Sequence, residues 1–409
     1  MLIILTLLFL NSTYNSFAVA MGFQFPYTTF LHNSNDLFGD YFKVIFSYPG
    51  ADRAVISEGS FLRNYQLHPY GNLTALNQGL VSNIGLTPLS TIISIGTMNV
   101  ANFFNPMYVY VINIILLLLI MNLFIRENIK SIYIVLLINI AFILSYPVLF
   151  AIDRGNILSI INSILIIIFF NKFYTNKIKV SLIFLAIAVN IRPNALILLL
   201  VLLLLDDDFK AKAKYLILFL TVALVIAGVS YIFSNILYPD YTFSNFISAL
   251  KIYRRDYLIG NWGLGYGSSL FGALKFIFGW HSLLEIIAYI ISCLGIIFLF
   301  YIDSKKKLES YTHAYIVLSI YILSSSVIAD YHLAVFFSPI LLMLINKTDE
   351  VSGVIEWIII VGSALILGPK NYFFISEVSY QVLLNPLILL ISMALIFALK
   401  FRNQDFLRT

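Results

Sequence analysis

Apolar runs of membrane-crossing length recur from one end of this chain to the other, and they constrain its fold more than any motif does. Residues 105–125 (NPMYVYVINIILLLLIMNLFI) hold no charged side chain, and comparable runs follow as far as residue 400. A helix needs about 20 residues to cross a hydrocarbon core of roughly 30 Å. The chain is 60% hydrophobic and 11% charged, whereas soluble domains average about 25% charged. That excludes a soluble enzyme, a disordered chain and a nucleic-acid binder with a basic stripe. The expected class is an all-α polytopic membrane protein.

Apolar runs between polar breaks predict twelve transmembrane segments: 2–20, 105–125, 131–150, 156–171, 179–191, 193–205, 214–234, 283–302, 311–328, 331–346, 352–367 and 384–400. Charge orients them. The loops 126–130, 171–179, 206–214 and 303–307, with Lys347 and the tail 400–409, carry 15 of the 25 Lys and Arg. The remaining 10 are spread over the long loops of opposite parity. The positive-inside rule places the first set in the cytoplasm, with both termini, and turns 21–104 and 235–282 outward. The net charge of +5 is therefore a topology signal, not a nucleic-acid footprint.

Three segments decide that parity. Residues 1–20 end in Ala18-Val19-Ala20 like a signal peptide, but the basic n-region is missing, so an uncleaved first helix is expected. Residues 81–100 are apolar yet hold Gly, Pro, Ser and Thr; as a span they would invert every later loop. They read as an interfacial or re-entrant helix packed on protein. Residues 179–205 are long enough for one helix, but Arg192-Pro193 splits them, because proline breaks the ladder and arginine needs an aqueous or phosphate partner. The two halves stop short of the outer face and leave a recess there. The whole chain, 1–409, reads as one integral-membrane domain.

Under this topology the unusual polar groups share the outer face: Asp36 and Asp40 in the first loop, Asp153-Arg154-Gly155-Asn156, Arg192-Pro193-Asn194, and Asp330-Tyr331-His332. Each sits at or before a helix end, where ionisable groups tend to face a cavity or a partner. Bland explanations exist for each alone. Asp40 fits a helix cap, Asp153 an N-cap paired with Arg154, Arg192 a snorkelling side chain, and His332 a packed interface ring. Asp206-Asp207-Asp208 and Lys305-Lys306-Lys307 read as solvated loops. Asn72-Leu73-Thr74 is a sequon without meaning in a bacterium. The loop 261–270 (NWGLGYGSSL) lacks the Gly-Lys-Ser/Thr of a phosphate-binding loop, and its glycines and aromatics fit either a sugar groove or a plain surface loop. The single Cys293 permits no internal disulfide, and the five His residues show no ligand spacing.

Taken in order, NDLFGDYFKVIF, DRGNILSIIN, AIAVNIRPNALILLL, GYGSSLFGAL and ADYHLAVFFSPILLML resemble the motifs of the GT-C superfamily of polytopic glycosyltransferases. The nearest likeness is to glycosyltransferase family 87, the domain-of-unknown-function 2029 group that uses polyprenyl-phosphate sugars. The resemblance implies a GT-C-like bundle in a bacterial inner membrane, with its active site facing outward. It implies inverting transfer of a monosaccharide, a mannose-like hexose or a pentose, to a lipid-linked or cell-envelope glycan. Asp40 would be the general base, with Asp36 its rival. Arg154 and Arg192 would hold the donor phosphate, aided by Asn156 and Tyr331. His332 would bind phosphate or assist proton transfer. No cofactor and no metal are expected, and the partners would be the lipid-linked donor, a glycan or glycolipid acceptor and membrane lipids, with no nucleic acid. The rival readings are a lipid-linked oligosaccharide polymerase leaning on Arg254 and Arg255, and a flippase or other transporter, for which an internal repeat is lacking.

Overall fold

A computed structural model describes residues 87–93, 106–154, 156–205, 208–237, 242–260, 267–305, 308–346, 353–368, 374–375, 378–379 and 381–405. Among these the chain is helical, apart from one antiparallel pair of two-residue strands, β1 (Phe374–Ile375) and β2 (Val378–Ser379). In chain order the helices are α1 (Pro106–Ile125), α2 (Ile132–Ile143), α3 (Tyr146–Arg154), α4 (Ile157–Tyr174) and α5 (Ile178–Ile191), then a 3₁₀ helix over Pro193–Leu204. There follow α6 (Phe209–Leu237), α7 (Phe243–Tyr253) continued by a π-helical stretch over Arg254–Ile259, α8 (Leu270–Phe278), α9 (Ser282–Lys305) and α10 (Ser310–Ser324). A second 3₁₀ turn, Asp330–Phe336, runs into α11 (Phe337–Asn346), before α12 (Val354–Leu367) and α13 (Gln381–Asp405).

Among the described residues four helices are long and apolar enough to cross a membrane: α4, α6, α9 and α13. A fifth span arises if α2 and α3, bent by 61°, count as one. The bend has a local cause. Pro147 has no N–H to give and its ring crowds the carbonyl one turn back, while the Ser145 hydroxyl takes the Phe142 carbonyl at 2.7 Å. The other apolar segments form shorter helices at the expected places, and segment 2–20 lies outside the described residues.

The split at Arg192-Pro193 is present. Arg192 is extended (φ −135°, ψ 99°), and the chain reverses from α5 into the 3₁₀ helix that packs back against it. Tight winding changes the reach of that return leg. At about 2.0 Å per residue its 12 residues extend roughly 24 Å, where an α-helix of equal length would extend roughly 18 Å.

α4 is the axis of the bundle and is buried along nearly its whole length, packed by α1, α5, α11 and the 330–336 turn. α6 and α9 line the outside and present Leu224, Ile217 and Ile297, each more than 60% exposed. Such an apolar exterior suits lipid and not water. Inside, Gly362 lets α12 come so close that an added Cβ would collide with the Tyr315 hydroxyl of α10.

Side-chain contacts sort the helix ends into two groups. At one end, Glu127 pairs with Lys172 (2.7 Å) and Lys177, Asn128 donates to Asn171 (3.0 Å), Tyr174 stacks on His313, and Tyr311 donates to Glu356 (2.8 Å). These are loops that the charge count assigned to one side. At the opposite end lie Asn156, Asn190, Arg192, Ser234, Ser268, Ser325 and Asp330. Residues 88–93, the described helical part of 81–100, dock there. Thr87 donates to the Asn190 carbonyl, Ser90 to the Ile191 carbonyl (3.2 Å), and Ser234 of α6 to the Pro88 carbonyl (3.0 Å).

Candidate functional site

The second end holds a polar cluster in an otherwise apolar bundle. Asn156 begins it as the N-cap of α4, its Oδ1 accepting from the Ser159 amide (3.1 Å) and the Ser159 hydroxyl (2.8 Å). Capping satisfies donors that helix geometry leaves open, and the first turn carries a partial positive charge. Arg192, half-buried, closes α5 and donates from Nη2 toward the Ser159 hydroxyl at 3.5 Å. Two sequence motifs thus meet at one serine.

Below them sit groups that the sequence reading did not single out. Ser159, Asn162 and Ser163 are fully buried on α4, and Tyr321 of α10 is fully buried opposite. Arg192 is the charge that acts on both Tyr321 and His332. The signal was present in the sequence. Asn156, Ser159 and Asn162 recur every three residues in an apolar helix, which is one polar stripe on one face.

α10 ends in Ser324-Ser325-Ser326, where hydroxyls compete with the backbone: Ser325 donates to the Tyr321 carbonyl at 2.7 Å. Asn194 then donates to Ser325 at 3.1 Å and ties the Arg-Pro break to this end of α10. The 330–336 turn follows. His332 is 4% exposed, and its Nδ1 has no hydrogen-bond partner among the described residues. Tyr331 meets the His332 ring edge-on (4.9 Å) and stacks on Phe150 (5.8 Å), which stacks on Tyr146 (5.7 Å).

Of the residues singled out in sequence, Asn156, Arg192, Tyr331 and His332 therefore gather at one end of the bundle. Arg154 is the last residue of α3, which packs on the 330–336 turn; its side chain lies outside the described residues. Asp36 and Asp40 also lie outside them. Arg254 stands 3.7 Å from Glu285 at the start of α9. Ser268 and Ser269 of the GYGSSL segment are buried: Ser269 caps α8 through the Gly272 amide (3.0 Å), and Ser268 bonds Asp330. They act as joints here, so the sugar-groove expectation for this segment finds no support at these two positions. No group of three His, Cys, Asp or Glu that could hold a metal occurs among the described residues.

The arrangement can bind an anion. A guanidinium at a helix break, beside a capped helix N-terminus and a buried imidazole, offers charge, oriented dipoles and low dielectric together. Comparison with protein-family models, with curated proteins and with solved structures finds no match for this chain.

Proposed function

We propose that this chain is an inverting glycosyltransferase of GT-C type, a bundle of about twelve spans in a bacterial inner membrane. It would take a monosaccharide from a polyprenyl-phosphate donor to a lipid-linked or cell-envelope glycan on the outer face. The observation that carries this reading is the placement of Arg192 beside Ser159 and the capped start of α4, with His332 buried under its influence, inside a shell of apolar helices. A donor of this class enters sideways from lipid and carries its charge at one end, which matches a cationic side chain behind an apolar wall.

The chemistry follows from charge development. The acceptor hydroxyl attacks the anomeric carbon while the bond to the phosphate oxygen breaks, so negative charge grows on the departing phosphate. Arg192, with Arg154 and Asn156, stabilises that charge. The leaving phosphate needs little acid assistance. The acceptor proton needs a base, and Asp40 takes that role, with Asp36 in support. Tyr331 and His332 border the phosphate.

The test is sugar transfer by purified protein in nanodiscs against a panel of polyprenyl-phosphate sugars. Wild type transfers from at least one donor, and Asp40→Asn keeps donor binding while losing roughly 10²–10⁴-fold in rate. Loss in Asp36→Asn alone moves the base to Asp36. Absence of transfer from every donor overturns the reading.

A further inference from the structure

The turn that carries Tyr331 and His332 is held at its first residue. Asp330 is 1% exposed. Its Oδ2 accepts from the Tyr146 hydroxyl of α3 at 3.3 Å. Its Oδ1 accepts from the Asn385 amide of α13 at 2.9 Å and from the Ser268 hydroxyl before α8. Asn385 also donates to Ser268 Oγ at 2.9 Å. The backbone repeats the connection: the Ser268 amide donates to the Ile328 carbonyl at 2.8 Å, and Gly267 pairs with Ala329 as an antiparallel bridge.

A solvated loop acid explains none of this. Ala329, and not Asp330, occupies the N-cap position of the 330–336 turn. A carboxylate is costly to bury unless strong donors surround it, and here they arrive from three separate segments. One of them, Tyr146, begins the ring stack that runs through Phe150 to Tyr331. The donors hold the turn by its first residue, and the ring stack holds it by its second, Tyr331.

We infer that Asp330 is the positioning residue of this end of the bundle. It touches no ligand itself, and it sets where Tyr331 and His332 stand relative to Arg192 by anchoring their turn to α3 and α13. Its consequence for catalysis rests on the function proposed above, whereas the anchoring does not.

Residue-resolved modification of histidines by diethyl pyrocarbonate, read by mass spectrometry on the full chain in nanodiscs, tests the anchoring without any reaction. In wild type, His332 and His313 both react slowly, because each is buried, at opposite ends of the bundle. Asp330→Asn puts one amide N–H₂ against either the Tyr146 hydroxyl or the Asn385 and Ser268 donors and removes the charge that all three share, and His332 reactivity rises about tenfold or more while His313 stays slow. Ser268→Ala, which removes one donor only, gives a smaller rise of the same sign. The exchanged pair Asp330→Asn/Asn385→Asp returns the carboxylate to the cluster and His332 to its slow rate. An unchanged His332 rate in Asp330→Asn, an equal rise at His313, or no recovery in the exchanged pair overturns the inference.

A transfer assay separates the two proposals. Wild type without transfer ends the proposed reaction and leaves the histidine measurement to decide the anchoring. With transfer present, Asp330→Asn costs little more in a Tyr331→Ala/His332→Ala background, since it acts through those two side chains. Fully additive losses would show Asp330 acting elsewhere.

Discussion

Arg192 and Ser159 meet across 3.5 Å although 33 residues separate them. The contact joins the break between α5 and the 3₁₀ helix to the first turn of α4. It places a fixed positive charge where a helix N-terminus already favours anions. Several outcomes can be predicted from this end of the bundle and from the joints that hold the rest.

Arg192→Ala should weaken binding of polyprenyl monophosphate by about 1.5–3 kcal/mol, the range for a charge-assisted hydrogen bond. Arg192→Lys should recover part of that, since it keeps the charge and loses the fork. The measurement is titration of lipid phosphate into protein in nanodiscs. Equal affinity in Arg192→Ala and wild type would return the residue to a snorkelling role.

Asn156→Ala removes the acceptor for the Ser159 amide and hydroxyl. Loss of an N-cap costs about 1 kcal/mol, and Asn156→Asp should retain the cap. Thermal or denaturant midpoints of the purified protein give the first number. If the cap and Arg192 form one anion site, phosphate affinity should fall in both variants, and further in Asp than in Ala, because the new carboxylate repels the phosphate while the cap is kept.

At the other end, Lys172 and Lys177 hold the Glu127 carboxyl below the usual carboxylate range of 4.5. A carboxylate whose folded pKa is depressed adds stability that is full above its unfolded value. That stability is lost as pH falls through the folded value. Wild type should therefore lose stability on acidification below about pH 4.5 more steeply than Glu127→Gln. At neutral pH Glu127→Gln should already be the weaker protein, because Lys172 is 1% exposed and loses its carboxylate partner. Parallel pH profiles of the two proteins would count against the pairing.

Lys275 in α8 offers the opposite sign. The residue is 3% exposed, and its amine donates to the Leu258 carbonyl (2.8 Å) and the Gly260 carbonyl, closing the helical segment that continues from α7. Burial lowers its pKa from 10.5 to about 8. Between those values the unfolded chain holds a proton that the folded chain has released, so stability rises with pH across that window. Below about pH 8 both states are charged and the burial penalty is complete. The difference between wild type and Lys275→Met, followed by denaturation from pH 7 to 10.5, should shift toward wild type as pH rises. A pH-independent difference would show that the amine is not desolvated.

Much of the bundle was legible in the sequence because lipid leaves few choices. Apolar runs must become helices, since no water is there to satisfy an open backbone, and the runs read from 105 onward coincide with helices in the structure. The break at Arg192-Pro193 followed from proline's missing N–H. Periodicity gave no length for the pieces. Among the described residues four or five helices are long enough to cross, whereas α5 and its 3₁₀ partner are shorter than a span requires. The tight winding of Pro193–Leu204 had no signature in composition.

The cluster around Arg192 was half visible. Arg192, Asn156 and His332 announce themselves as polar interruptions of apolar sequence, and such interruptions are costly enough to need a reason. Which of them would be tied to a neighbour was settled by packing alone. Asp330 and His332 stand two residues apart and look alike as helix-start polar residues, yet Asp330 is occupied by Tyr146, Asn385 and Ser268 while His332 keeps a buried Nδ1 without a partner among the described residues. Those three donors lie 184, 55 and 62 residues away from Asp330. Local sequence determines that a chain of this composition turns apolar runs into helices and where prolines and serines stop them. Tertiary structure alone decides which helix ends meet, because hydrogen bonds between remote side chains leave no period and no spacing in the sequence that encodes them.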